Sequence, residues 1–340
     1  MSTNYWDEFW KSYELRTNNA PESVRAMMLA RERAALAGNA EAVLFMNHWI
    51  LQTLIFHVED LKTAYDLAVK TAIEARKPQY AHMQEHICTQ QDLILTYLGM
   101  DPEGHEHLID EAIKFMAQEI TGPMQCRFCL QELRCSFEVA RGKIDDAQAE
   151  TNRYLSMADE ATSSSHKRHH KTVAYASMCD VAYRQQDWTL LLNSALQGEL
   201  LSAGEDQHVE RHAYFVACQA LAQRKLGAED QANLAYRRAT MQASEITGMT
   251  LPRGFYDTLC LYNEATGAWD AALKLRDRQL AEIADKGQPY WESRVRLERI
   301  RLLKALGQPI ADDAAATRPV IGRLKRSDKF TAELDRLTAS

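Results

Sequence analysis

The sequence predicts an all-α fold built from stacked helical hairpins, and two observations carry that prediction. Glycine and proline are scarce, 14 and eight in 340 residues, or about 4% and 2% against ordinary usage of roughly 7% and 5%. With so few turn residues the elements between them must be long. Apolar residues also recur at helical spacing, as at Ala232, Ala235, Tyr236, Ala239, Ala243 and Ile246, and no comparable run alternates strictly as a half-buried strand would.

Taken in order, residues 1–40 are expected to cap the fold, with Pro21 to Ala37 as a capping helix helped by Tyr5, Trp6, Phe9 and Trp10. Residues 41–320 read as a helical array. Its most apolar stretch, Ala42 to Phe56, is broken by Asn47, His48, Gln52 and Thr53 and is shorter than the roughly 20 residues a membrane-spanning helix needs; it reads as a buried core helix. Pro78, Pro123, Pro252 and Pro289 stand where a fixed φ and a missing N–H suit a first helical turn. Gly142, Gly227, Gly267 and Gly307 stand where a left-handed residue closes a helix. Aligning the turns places Glu59, His107, Gly142, Gln186, Gly227, Gly267 and Gly307 in one column. Two positions later the residue is mostly large and apolar, and five positions later mostly small: Ala64, Ala112, Ala147, Leu191, Ala232, Ala272 and Asp312. The stretch from Ala161 to Lys171, "ATSSSHKRHHK", is the most loop-like interior segment and a candidate hinge; residues 321–340 are polar and read as a C-terminal cap or tail.

These features resemble the tetratricopeptide repeat family, best over Ala220 to Ala239, where Ala220, Gly227, Ala232, Tyr236 and Ala239 occupy the family's small, turn, small, aromatic and small positions. The period departs from the family's, at about 40 residues rather than 34, and helical repeats of the HEAT type share that longer period. The resemblance implies a right-handed α-α superhelix of about seven hairpins with N- and C-terminal capping helices. Each hairpin would bury an apolar face against its neighbours.

Composition narrows the function classes. A formal net charge of −7 argues against generic affinity for nucleic acid or anionic membrane, both of which favour a basic surface. Seven widely spaced cysteines read as reduced thiols, which points to the cytoplasm. The start of the chain has no continuous apolar core of the kind a secretory signal carries.

Motifs for chemistry are sparse. His82 and His86 are four apart, and "HMQEH" matches the H-x-x-E-H pattern in which Glu85 would act as general base beside a zinc ion. A third protein ligand is not evident, and zinc peptidases of that pattern use a sheet-containing fold. "HVERH", His208 to His212, has its glutamate out of place for H-E-x-x-H. Cys126, Cys129 and Cys135 lack the second pair a zinc knuckle needs, and read as core residues. The basic clusters His166 to Lys171 and Arg323 to Lys329 read as solvated surface, and Trp291 to Lys304 as an exposed face of a terminal hairpin. Phosphate-binding loops and nucleophile elbows are absent, and no cofactor is implied.

The expected function is therefore a non-catalytic scaffold, or a cytoplasmic peptide-sensing regulator, that holds a protein or peptide partner in a concave groove. The alternatives are a zinc-dependent hydrolase using His82, Glu85 and His86, and a self-assembling structural subunit. In the family's register the groove residues are His86, Glu132, Asp180, Tyr183, Tyr214, Arg224, Asp257, Arg294 and Arg301. The arginines toward the C-terminal end suggest recognition of a carboxylate or acidic segment near Arg294 and Arg301.

Overall fold

The computed structural model describes residues 5–120, 124–161, 163–204, 209–246 and 251–339. Among them there is no strand. The chain divides into two compact units, Met1–Leu133 with Asp285–Gln288, and Arg134–Ala284 with Pro289–Ser340.

The first unit holds helices α1 (Tyr5–Glu14), α2 (Ala20–Leu36), α3 (Ala40–Thr53), α4 (Leu61–Ala75), α5 (Glu85–Met100) and α6 (Glu106–Glu119), and the start of α7 (Met124–Ala140). Starts are set by side chains that accept from backbone amides left over at a helix N-terminus: Asn19 for α2, Asn39 for α3 and Asp60 for α4. The expected capping region comprises two helices, and its aromatic residues converge on α3, with Trp6 and Phe9 packed edge-on against Phe45 at 5.3 and 6.1 Å. Residues Asp285–Gln288 group with this unit through the Leu61 amide, which donates to the Lys286 carbonyl at 3.0 Å.

The second unit continues α7 and adds α8 (Ile144–Asp159), α9 (Ser164–Gln185), α10 (Trp188–Ser202), α11 (Val209–Lys225), α12 (Glu229–Glu245), α13 (Arg253–Ala265), α14 (Trp269–Ile283), α15 (Pro289–Ala305), α16 (Ala311–Ile321) and α17 (Asp328–Thr338). Consecutive helices pack on one another from α8 to α12 and from α13 to α17, and α13 lies on α11. At the end of the chain Phe330 meets Tyr290 edge-on at 5.2 Å, and the Lys304 ammonium donates to the Leu337 carbonyl.

The turn column holds at six of its seven positions. Gly142, Gly227, Gly267 and Gly307 have φ between 68° and 82°, and Glu59 and Gln186 take the same left-handed conformation at 57°. His107 does not, because it lies inside α6, whose preceding turn is made by residues 101–105. The residue five beyond the column is completely buried at Ala64, Ala112, Ala147, Leu191, Ala232 and Ala272, and exposed at Asp312 in the last hairpin. At the five alanines the small side chain lets the hairpin's two helices approach closely. Gly198 on α10 takes the principle further, since a Cβ there would lie 2.2 Å from the buried Phe215 ring of α11.

The proline signals split. Pro289 opens α15 and Pro252 immediately precedes α13. Pro78 starts only a single 3₁₀ turn, and α5 begins at Glu85; Pro123 lies outside the described residues. Of the stretch read as loop-like, residues from Ser164 onward are helical, because the Ser163 hydroxyl accepts from the His166 amide and caps α9; Thr162 lies outside the described residues. Among the described residues no helix is long and apolar enough to cross a membrane.

Candidate functional site

The second unit contains a cavity of about 330 Å³ lined by Tyr183 from α9, Arg253, Asp257, Leu261 and Glu264 from α13, Arg276 and Gln279 from α14, and Trp291, Arg294, Val295, Glu298 and Arg301 from α15. The spacing of these residues explains how the walls form. Along α13 the lining recurs at intervals of four, four and three, and along α15 at three, one, three and three, so each set occupies one helix face. The α15 segment expected as an exposed terminal face is thus the wall of a cavity.

The charges in the cavity are unevenly shared. Arg276, with a side chain only 6% exposed, donates through one terminal nitrogen to Asp257 at 2.6 Å and to Gln279 at 2.7 Å. Burial pushes Asp257 upward, but the fields of Arg276, Arg294 and Arg184, with the Arg276 hydrogen bond, outweigh it and hold the carboxyl below its ordinary range. Arg301 is committed twice, to Glu264 at 2.5 Å and to Glu298 at 2.8 Å. Arg294 is different. Its guanidinium lies 5.3 Å from the Trp291 ring centroid, with Arg253 at 4.3 Å from the same ring, and among the described residues it has no carboxylate in salt-bridge range. With Asp257, Glu264 and Glu298 taken by Arg276 and Arg301, Arg294 stands beside an indole face without a carboxylate in salt-bridge range among the described residues.

Four of the nine residues expected in a groove, Tyr183, Asp257, Arg294 and Arg301, meet in this cavity. Asp180 and Tyr214 form their own pair, the phenol donating to the carboxylate at 2.6 Å. Arg224 bridges to Glu229 at 2.6 Å and reaches the Ala265 carbonyl. His86 and Glu132 belong to the first unit. The register missed the other eight lining residues: Arg276 and Gln279 on the second helix of a hairpin, Arg253 and Trp291 near helix starts, and Leu261, Glu264, Val295 and Glu298 on the same first helices as the residues it found. A count restricted to the middles of first helices has no access to the first four, and one that takes a single position per turn passes over the last four, although the face pattern on α15 was visible in the spacing.

The histidine motif is not assembled into a metal site. His82 is 63% exposed beside Glu41, whereas the buried His86 places Nδ1 2.6 Å from the Ala75 carbonyl and Nε2 3.5 Å from Glu119. Among the described residues no group of three His, Cys, Asp or Glu side chains is placed to hold a metal ion. His208 lies outside the described residues, and its motif partner His212 hydrogen-bonds Ser202 at 3.0 Å. In the basic clusters, Lys167 and Lys171 pair with Asp159, and Arg323 with Glu292. No protein-family model matches the chain, and no curated protein matches its sequence.

Proposed function

We propose that this protein is a peptide- or protein-binding scaffold of the tetratricopeptide type, and that its second unit captures a partner's carboxylate in the cavity beside Arg294. The finer architecture, a right-handed superhelix of hairpins, is part of this proposal. It is supported by the recurring left-handed turn and the buried small residue five positions later.

One observation carries the reading: an arginine with no carboxylate of its own, held against an aromatic face in a concave site. A guanidinium is a planar, permanently charged donor suited to bidentate contact with a carboxylate. Trp291, Tyr183 and Leu261 supply apolar walls for the stem that bears it. Arg276 and Arg301 act as supports, because their charges are already answered inside the wall.

Titration with fluorescent hexapeptides ending in Asp-Glu, against Asn-Gln controls, tests this. The acidic peptide is expected to bind more tightly, to weaken as salt rises, and to lose about tenfold or more in affinity on Arg294→Glu, in line with the loss of a charge-assisted contact of about 1.5–3 kcal/mol. Equal affinity for both peptides, or binding indifferent to Arg294→Glu, overturns the reading.

A further inference from the structure

Helix α12 of the second unit divides its residues between two faces. Ala232, Ala235, Ala239 and Ala243 are buried in the core. On the opposite face Asp230, Leu234, Arg237 and Met241 are all exposed, Leu234 to 62% and Met241 to 58%. Their intervals of four, three and four residues return to one side of a helix, so the four side chains form a ridge. Leu226, in the turn just before α12, is exposed as well. In chain order the series is apolar, acidic, apolar, basic, apolar.

Two properties separate this ridge from an ordinary solvated face. Leucine and methionine at its successive turns keep apolar surface in water, and a covering surface would recover that free energy. Its two charges are also unanswered. Elsewhere on α12 Glu229 pairs with Arg224, and Arg238 with Glu199, but among the described residues neither Asp230 nor Arg237 has an opposite charge in salt-bridge range.

We propose that the ridge is a self-association surface, on which a second copy of this chain lays its own α12 antiparallel about a twofold axis near Leu234. A twofold contact brings residue i onto j and j onto i, and the ridge is its own complement under that operation. Asp230 faces the partner's Arg237, and Arg237 faces the partner's Asp230. Leu234 meets its own counterpart beside the axis. Met241 arrives at the end of the partner's α12 where Leu226 stands. Asp230 and Arg237 are two turns apart, about 10.5 Å along the helix, so both ion pairs close only when the antiparallel helices are centred between them. A parallel pair would set acid against acid and base against base, and that repulsion selects the antiparallel register. None of Asp230, Leu234, Arg237 and Met241 lines the cavity, so the contact is separate from peptide capture.

A single helix pair falls at the small end of specific interfaces, which reach down to roughly 1,200 Å². The expected dissociation constant is accordingly between about 1 μM and 1 mM. Sedimentation equilibrium of the full chain from about 5 μM to about 1 mM tests the proposal. The mass should rise from monomer toward dimer across that range, and the association should weaken as salt is added. Leu234→Glu sets two like charges beside the axis and should abolish it. Arg237→Asp and Asp230→Arg each turn both ion pairs into like-charge contacts and should weaken it about tenfold or more. Both substitutions in one chain restore the pairs in exchanged positions, and should restore the dimer; an equimolar mixture of the two single variants should associate for the same reason. A chain that stays monomeric throughout leaves the ridge to a partner of another kind and overturns the proposal. So does a dimer indifferent to Leu234→Glu, or a loss in the single variants that neither the double exchange nor the mixture rescues. Rescue rules out misfolding as the cause of the losses, and the wild-type concentration series keeps the proposal decidable where a variant fails to fold.

Discussion

Asp92 and Asp257 are both carboxylates drawn into the interior of their own units, and they are answered in opposite ways. Among the described residues Asp92 has no arginine in salt-bridge range; a histidine, His48, and a glutamine, Gln52, hold its two oxygens, and its side chain has no exposure at all. Asp257 keeps a quarter of its side-chain exposure and sits in the fields of Arg276, Arg294 and Arg184. The difference teaches what each centre can do. A carboxylate answered by a titratable ring stores a proton and stays closed, whereas one outnumbered by arginines leaves positive charge facing a cavity.

The largest expected effect comes from removing the arginine that anchors the second arrangement. Arg276→Ala leaves the Asp257 carboxylate and the Gln279 oxygen turned toward an empty space, and breaking so buried a pair costs about 3–5 kcal/mol. Urea unfolding measures it, and a loss below about 1 kcal/mol would mean that Arg294 and Arg184 neutralise Asp257 unaided. Asp92→Asn probes the other side, with an expected loss of about 1.5–3 kcal/mol for a hydrogen bond to a charged partner. Its pH dependence has a definite sign. Because His48 is raised in the folded chain, its stabilisation is fully present below the unfolded value near 6.5 and fades as pH rises through the higher folded value. The deficit of Asp92→Asn should therefore be greatest below pH 6.5 and shrink in alkali; a deficit that grows with pH would contradict the coupling.

Asp180 sharpens the contrast, since it is answered by a neutral phenol. Burial outweighs the Tyr214 hydrogen bond and raises the carboxyl to about 6. A raised acid reverses the usual direction: between about 3.8 and 6 the folded chain binds more protons than the unfolded one, so stability falls as pH increases. Asp180→Asn should gain up to about 1–2 kcal/mol on the wild type above pH 6, and the gain should vanish below about pH 4. Parallel urea midpoints across pH decide it.

How much of this was legible follows from where the information sits. Glycines at 142, 227, 267 and 307 announce helix ends by composition alone, and all four adopt the left-handed conformation. His107 shared only their spacing, and its position fell inside α6. Tyr183, Asp257, Arg294 and Arg301 could be picked out from the first-helix register, but the commitment of Arg301 to Glu264 and Glu298 could not. That pairing depends on which helix faces α15. His48 and Asp92 are 44 positions apart; spacing rules written for one helix or one loop have no means of joining them.

The smallest effect tests the turns themselves, where the two conformational solutions can be exchanged. Gln186 adopts φ 57° with a Cβ that the left-handed region penalises, and its side chain is exposed. Gln186→Gly relieves roughly 1–2 kcal/mol of that penalty and returns roughly 0.5–1 kcal/mol to the entropy of the unfolded chain, for a net gain of about 0.5–1 kcal/mol. Gly227→Ala should lose a similar amount, and since nothing lies within 4 Å of a Cβ placed there, the loss would report backbone conformation alone. Glu59 breaks the symmetry: Glu59→Gly relieves the same backbone but forfeits the ion pair to Lys286 at 3.6 Å. Its gain should fall short of that at Gln186 by up to about 1 kcal/mol, the upper range for a partly exposed pair. Equal gains at both positions in thermal unfolding would show that the Lys286 contact contributes nothing and that the two left-handed turns are energetically alike.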